Sequence, residues 1–399
     1  MPTAAALYDL SPAIRLMIMG LVVASGPLTW VWLRSRHATA ARRLQVLTLV
    51  TLFLTFDLVI FGAFTRLTDS GLGCPDWPGC YGQASPVGAR THIDAAQAAM
   101  PEGPVTPAKA WIEMVHRYLA TGVGVMILTL AIAGWAQRGR IVESPETDLP
   151  GGGVSPWWPT ATLVWVCLQG AFGALTVTLK LFPAIVTMHL LGGLVLLALL
   201  KAQAVQHARK TGEVSPTPLP RRTRLLVLLT FGLLWLQIAL GGWVSTNYAV
   251  LACTTFPACQ GSIWPAMDFS QGFSLWRALG AGSDGANISF QALTAIHYVH
   301  RLSAYIVFAA MLLLAFRLNR VPALRKQALW LAGLTLLQLA TGLGNVLLGW
   351  PLIAAVSHTG GAAALVIVLT AIVCLTRPVS STAVTAGTPT LRRASELPA

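Results

Sequence analysis

Polar segments divide the chain into long apolar stretches of similar length. They cover 13–33, 46–65, 115–136, 158–179, 185–206, 225–246, 293–316, 327–348 and 352–376. A helix rises about 1.5 Å per residue, so roughly 20 mostly apolar residues cross the hydrocarbon core of a bilayer. Nine transmembrane helices are therefore expected, in an all-α integral membrane fold. The first stretch is too long for a signal peptide and lacks its cleavage pattern, so it reads as an extra N-terminal transmembrane helix.

Composition agrees with this pattern. With 55% hydrophobic and only 10% charged residues, the 399-residue chain does not read as two or three soluble domains. A net charge of +13 suggests nucleic acid only until it is mapped. Arginines and lysines gather at 34–43, 138–140, 209–224, 317–326 and 377–393, all on one side of the expected spans. The opposite loops hold Arg90, Lys109, Lys180 and Arg277. This is the positive-inside bias, and it predicts an outer N-terminus, a cytoplasmic C-terminus and no nucleic-acid partner.

The chemistry-bearing residues occur twice, in one order. Cys74 and Cys80 precede His116-Arg117 and then His189; Cys253 and Cys259 precede His300-Arg301 and then His358. Leu168-Gln169 matches Leu337-Gln338, and Gly192-Gly193 matches Gly360-Gly361. Such a repeat predicts two tandem four-helix bundles, 46–206 and 225–376. Four crossings return the chain to its starting side, so the bundles are parallel, unlike many transporter repeats. Residues 1–45 add the accessory helix and a basic cytoplasmic loop. A Pro-rich linker spans 207–224, and the Ser/Thr/Ala-rich tail 377–399 reads as disordered.

Each histidine of the repeat lies within about the first two turns of its expected span, at matched depth. Two facing imidazoles in a four-helix bundle suit the axial grip of a heme iron, one heme per half. The competing role, a hydrogen bond to a neighbouring helix, explains one histidine more easily than four in two pairs. His37, His92 and His207 read as solvated loop residues. Glu113 lies one turn before His116, where the second half has His297, so one half alone carries a carboxylate beside its iron. Glu113 is either that acid, base or charge stabiliser, or the ion partner of Lys109. Arg117 and Arg301 either bind heme propionates or anchor the interface. Asp57 is a proton-path residue or a packing contact.

Five residues separate the cysteines of each outer pair, enough for a disulfide within each loop, and an oxidising compartment makes that the default. The pairs are either staples over the bundle mouths or a thiol–disulfide relay. Cys167 and Cys374 read as inert core residues. The relay defines a rival function, a membrane thiol-disulfide/quinone oxidoreductase, which leaves the histidines unexplained. A diheme b-type electron-transfer protein explains the histidines but not Glu113.

The wording of these motifs resembles one family. Gly62-Ala-Phe-Thr-Arg-Leu-Thr-Asp-Ser-Gly-Leu-Gly-Cys74-Pro-Asp-Trp-Pro-Gly-Cys80 resembles the first outer loop of the heme A synthases, and Glu113-Met-Val-His116-Arg117 their Glu-x-x-His-Arg signature. Gly242-Trp-Val-Ser-Thr-Asn, Cys253, Cys259 and His300-Arg301 are similar to their C-terminal domain. The resemblance covers about 46–376; span 13–33 is an addition to the family's eight helices. It implies conversion of heme O to heme A by oxidation of the C8 methyl to a formyl group, in the cell membrane, for cytochrome oxidase. His116 and His189 would then bracket the iron of substrate heme O, His300 and His358 would ligate heme B, and Glu113 would be the catalytic carboxylate. The implied partners are the heme O-producing enzyme, cytochrome oxidase assembly factors and an electron donor of unknown identity.

Overall fold

The computed structural model describes residues 11–138, 155–282 and 285–378. The described chain is mostly helical: α1 (Ser11–Ser35), α2 (Ala40–Leu67), α3 (Arg90–Ala99), α4 (Pro107–Gln137), α5 (Trp157–Thr178), α6 (Pro183–Lys210), α7 (Arg221–Thr246), α8 (Phe269–Gly272), α9 (Phe290–Asn319), α10 (Arg325–Leu347) and α11 (Leu352–Leu375). Among the described residues, nine helices are long and apolar enough to cross a membrane, with mean hydropathy between 1.3 and 2.2. They are all of these except α3 and α8, and they match the nine expected stretches. The tail beyond Pro378 and the loop 139–154 lie outside the described residues.

Several helices run past their apolar stretches because caps extend them. Thr106 accepts the Lys109 backbone N–H at the start of α4, with Pro107 in the first turn, and Ser289 does the same for Ala292 at α9. His116 and His300 therefore lie in the third turn of these lengthened helices, still near the start of their apolar stretches. His189 and His358 lie within the first two turns of α6 and α11.

Helices α2, α4, α5 and α6 pack in a ring, each against its two neighbours, with α4 and α6 at opposite corners. Helices α7, α9, α10 and α11 form a second ring in the same sequence, with α9 opposite α11. The rings meet where α11 lies against α2 and α6, and α6 against α7. One apolar core runs through both, including Leu130, Leu197, Leu234, Leu314, Leu331 and Val366. The remaining apolar side chains point outward, as Phe53, Ile132, Leu229 and Ile306 do, since lipid solvates them as well as protein would.

Helix α1 docks on α4 through small residues. A Cβ at Gly20 would collide with Thr121, and one at Gly122 would come within 2.8 Å of Val23 Cγ1. The linker is less irregular than its prolines suggest. Residues 207–210 continue α6, and β1 (Thr217–Leu219) pairs in parallel with β2 (Thr376–Pro378), so the segment after α11 starts as a strand. Arg224 donates to the Val373 carbonyl at 2.8 Å and to the Thr376 hydroxyl, while Arg209 reaches the Cys374 carbonyl. Both cations thus cap the C-terminal carbonyls of α11, where the helix dipole favours positive charge.

On the opposite side, the two rings touch through the ends of α2 and α7. Arg66 Nη2 donates to the Ser245 carbonyl at 2.6 Å, its guanidinium lies 4.1 Å from the Tyr248 ring centroid, and Tyr248 donates to Asp69 at 2.6 Å. The repeat extends to backbone conformation. Asp69 and Tyr248 both take positive φ, as do Tyr81 and Gln260 at the next pair of equivalent positions.

Candidate functional site

Glu113 and Arg117 face the same way on α4 because they are four residues apart. Both are buried beneath the loop between α2 and α3. Arg117 Nη2 donates to Glu113 Oε1 at 2.5 Å, and the other carboxylate oxygen accepts the Cys74 backbone N–H at 2.7 Å. Arg117 Nη1 donates to the carbonyls of Asp76 (3.0 Å), Pro78 (3.2 Å) and Gly79 (2.5 Å). The ion pair therefore pins the loop that holds the Cys74–Cys80 disulfide. Gly73 lies so flat on α4 that a Cβ there would sit 2.6 Å from the Ala110 nitrogen. Lys109, the alternative partner considered for Glu113, turns away, its Nζ 3.5 Å from the Gly103 carbonyl.

The second half repeats the clamp without the acid. Arg301 donates to Thr255 (2.8 Å), Ala258 (3.2 Å) and Cys253 (3.0 Å), all carbonyls of the Cys253–Cys259 loop. The position of Glu113 is taken by buried His297. Both disulfides form within their own loops, as expected, and all four cysteines are fully buried. Disulfide exchange needs an attacking thiolate to reach a sulfur in line, so this burial fits staples and not a relay. The arginines engage loop carbonyls, a role that neither propionate binding nor interfacial anchoring had suggested.

Below the loops, the four repeated histidines come together in two pairs. His116 on α4 and His189 on α6 lie within electrostatic reach of each other across the first ring, and His300 and His358 likewise across the second. Each ring stands against a glycine of a neighbouring helix. An added Cβ would meet the imidazole Cε1 at 3.0 Å from Gly62, 3.4 Å from Gly173, 2.9 Å from Gly241 and 3.4 Å from Gly342. These glycines recur at equivalent positions; a Cβ would crowd the ring at Gly62 and Gly241 and only touch it at Gly173 and Gly342. Their pattern was present in the sequence and was missed, because a glycine in a span reads as ordinary small-residue packing.

The glutamine–glycine matches also acquire a reason. Gln169 lies where a Cβ on Gly192 would be, and Gln338 where one on Gly361 would be. The repeat thus aligns Gly192 with Gly361, one residue out of the register read from the doublets.

Among the described residues no group of three or more His, Cys, Asp and Glu side chains converges to hold a bare metal ion. Two opposed imidazoles instead suit an iron whose equatorial positions a porphyrin fills. The donor set and the cradles that a Cβ would fill fit heme in both rings, and His116 Nδ1 and His189 Nδ1 are buried without a partner.

Other candidates fall elsewhere. Asp57 lies on an exposed face of α2. Cys167 is exposed on α5 and not a core residue, while Cys374 is half-buried at the end of α11. His37 is exposed in a turn. His92 is exposed on α3 and stacks on Tyr81 with 5.4 Å between ring centroids. His207 is buried in the last turn of α6, not solvated in a loop, because α6 outlasts its apolar stretch.

Residues 45–370 match the model of a family described as cytochrome oxidase assembly protein. Curated relatives named heme A synthase include one from Shewanella oneidensis, 37% identical over 323 residues, covering 81% of this chain and 93% of the relative. Another, from Mesorhizobium japonicum, is 29% identical and covers 78% of this chain and 84% of its own length. A third, from Methylobacterium nodulans, is 30% identical, covering 76% and 84%.

Proposed function

We propose, on the premise that this chain belongs to the cytochrome oxidase assembly protein family, that it is a heme A synthase: a multi-pass membrane enzyme that converts heme O to heme A. The observation that carries the site assignment is the pair of opposed imidazoles in each ring, every one set against a glycine.

In this reading His116 and His189 grip the iron of substrate heme O, and His300 and His358 the iron of a resident heme B. When bound, heme B supplies one-electron redox chemistry. The chain's own residues orient and enclose. His116 and His189, on opposite corners of the ring, would hold the substrate between them, and the glycines beside them keep the imidazoles in place. Oxidation of a methyl group of the substrate to a formyl group would take two hydroxylations, each drawing on an oxidant and an oxygen source from outside the chain, to a geminal diol that loses water. Glu113, one turn from His116 and tied to the loop above it, is the carboxylate that holds or moves a proton at Oε1 or Oε2. Arg117 keeps it in place, and the stapled loop keeps water from the mouth of the site. The second half needs no such acid, which agrees with His297 in the equivalent place.

We read the rings as parallel four-helix bundles, 46–206 and 225–376, joined by 207–224. They lie in the cell membrane with the N-terminus outside and the C-terminus cytoplasmic, an orientation supported by the basic segments 34–43, 209–224 and 317–326. We further propose supply of heme O by its synthesising enzyme, delivery to cytochrome oxidase assembly factors, and, where dioxygen is the oxidant, an electron donor.

Membranes containing the protein and supplied with heme O test the reading by heme extraction and chromatography. Heme A should appear, with an alcohol intermediate when turnover is limited. An intact heme spectrum with heme O unmodified would leave only electron transfer.

A further inference from the structure

The histidines repeat, but the atoms that hold their rings do not. In the second half, His300 Nδ1 lies 3.1 Å from the Gln237 side-chain amide, which also contacts the His300 carbonyl at 3.0 Å. The far end of that amide accepts the Ser303 hydroxyl, itself 3.0 Å from the same carbonyl. His358 Nδ1 lies 2.9 Å from the Thr341 hydroxyl, and Gln338 donates to the His358 carbonyl at 2.9 Å.

In the first half the equivalent positions hold Leu58 for Gln237, Leu119 for Ser303 and Phe172 for Thr341. None of these side chains can form a hydrogen bond. His116 Nδ1 and His189 Nδ1 are accordingly buried without a partner, and His116 has Phe61 stacked beside it at 6.2 Å. The glycine cradles survive in both halves; only the polar support is one-sided.

An imidazole that binds iron through Nε2 carries its remaining proton on Nδ1. An acceptor there fixes the ring and raises its basicity, which strengthens the bond to the metal. The Thr341 hydroxyl can be that acceptor as it stands. The Gln237 amide acts differently: it donates to the His300 carbonyl and lies 3.1 Å from Nδ1 and 3.5 Å from Nε2, so it holds the backbone and the ring of His300 in place rather than accepting the Nδ1 proton.

We propose that Gln237 and Thr341 are positioning residues that make the second heme resident, and that Leu58 and Phe172 leave the first heme exchangeable. An enzyme whose substrate and cofactor are both hemes must keep one and release the other. Equal grips would either trap the product or lose the cofactor. The inference rests on the reading that the four histidines ligate two hemes, and it names what separates the two sites.

The test uses the full chain in detergent, loaded with heme B, with apomyoglobin as a heme scavenger. Gln237→Leu and Thr341→Val should speed loss of the second heme by about 10–100-fold. Both should keep a low-spin spectrum, and Thr341→Val should also raise the midpoint potential, because a less basic imidazole favours ferric iron less. Thr341→Ser, which retains the hydroxyl, should behave as wild type. The double variant Leu58→Gln with Leu119→Ser should slow heme loss from the first site. Wild-type loss rates in Gln237→Leu and Thr341→Val would overturn the proposal, as would a wild-type potential in Thr341→Val or a Thr341→Ser variant as leaky as Thr341→Val. A failure of the underlying ligation is distinguishable, since His300→Ala and His358→Ala would then keep an unchanged spectrum.

Discussion

The two halves share a backbone plan and differ at a few side chains. Both have a buried disulfide loop clamped by an arginine, two opposed histidines, and a glycine behind each ring. The first half adds Glu113 and leaves the rings of its histidines without hydrogen-bond partners; the second adds Gln237 and Thr341 and has no acid at the clamp. In the proposed reading, a duplicated scaffold is divided between chemistry and cofactor retention with the paired histidines themselves unchanged. The variants most informative about this chain are those that affect one half and spare its counterpart.

The largest contrast expected is between the ligand pairs. His300→Ala and His358→Ala should remove most of the b-type signal in a reduced-minus-oxidised spectrum. His116→Ala and His189→Ala should leave that signal largely in place and abolish heme A. Equal loss of signal from all four variants would erase the division of labour.

Glu113→Ala should abolish heme A production with the resident heme retained, whereas His297→Ala should spare most of the activity. Because Glu113 also pins a loop, Arg117→Lys sharpens the result. If it leaves the loop disulfide closed but loses activity as completely as Glu113→Ala, the carboxylate acts through its placement and not as a proton carrier.

The clamps should differ in stability by a smaller amount. Arg117→Ala strands the buried Glu113 carboxylate, a loss of about 3–5 kcal/mol for a broken buried pair. Arg301→Ala gives up hydrogen bonds to carbonyls and a contact with the Phe256 ring but strands no charge, about 1–3 kcal/mol. Thermal unfolding in detergent, with the two variants side by side, would show equal losses if the acid were unimportant to the clamp.

The smallest effects are graded by the glycines. Gly241→Ala, whose Cβ would lie 2.9 Å from the His300 ring, should loosen the resident heme more than Gly342→Ala at 3.4 Å. Heme loss to apomyoglobin measures the order, and a reversed order would mean that the cradle is not what seats the ring.

Much of this was legible in sequence. The nine spans follow from apolar length, and the histidine pairs from the repeat. What was hidden depended on how the loops fold back. Lys109 and Arg117 lie four residues on either side of Glu113, so spacing alone favours neither, and the choice falls to Arg117 because its other donors meet the carbonyls of the stapled loop. His207 was misread because α6 continues beyond its apolar stretch, and Cys167 because an apolar helix carries no mark of which face meets lipid. The three-residue strands β1 and β2, each with a proline, are too short for any periodicity to reveal.

The contacts between the ends of α2 and α7 have a consequence in symmetry. Arg66 is the repeat equivalent of Ser245, and Asp69 of Tyr248, so both hydrogen bonds join a position to its own counterpart across a pseudo-twofold axis. In a dimer of two identical first halves the same places would set arginine against arginine and aspartate against aspartate, and like charges on an isologous axis repel. The fused chain has instead Arg66 over Tyr248 and Asp69 bound to its hydroxyl. Two first halves are thus disfavoured as a substitute for the pair, and duplication followed by fusion has made each half a specific partner for the other.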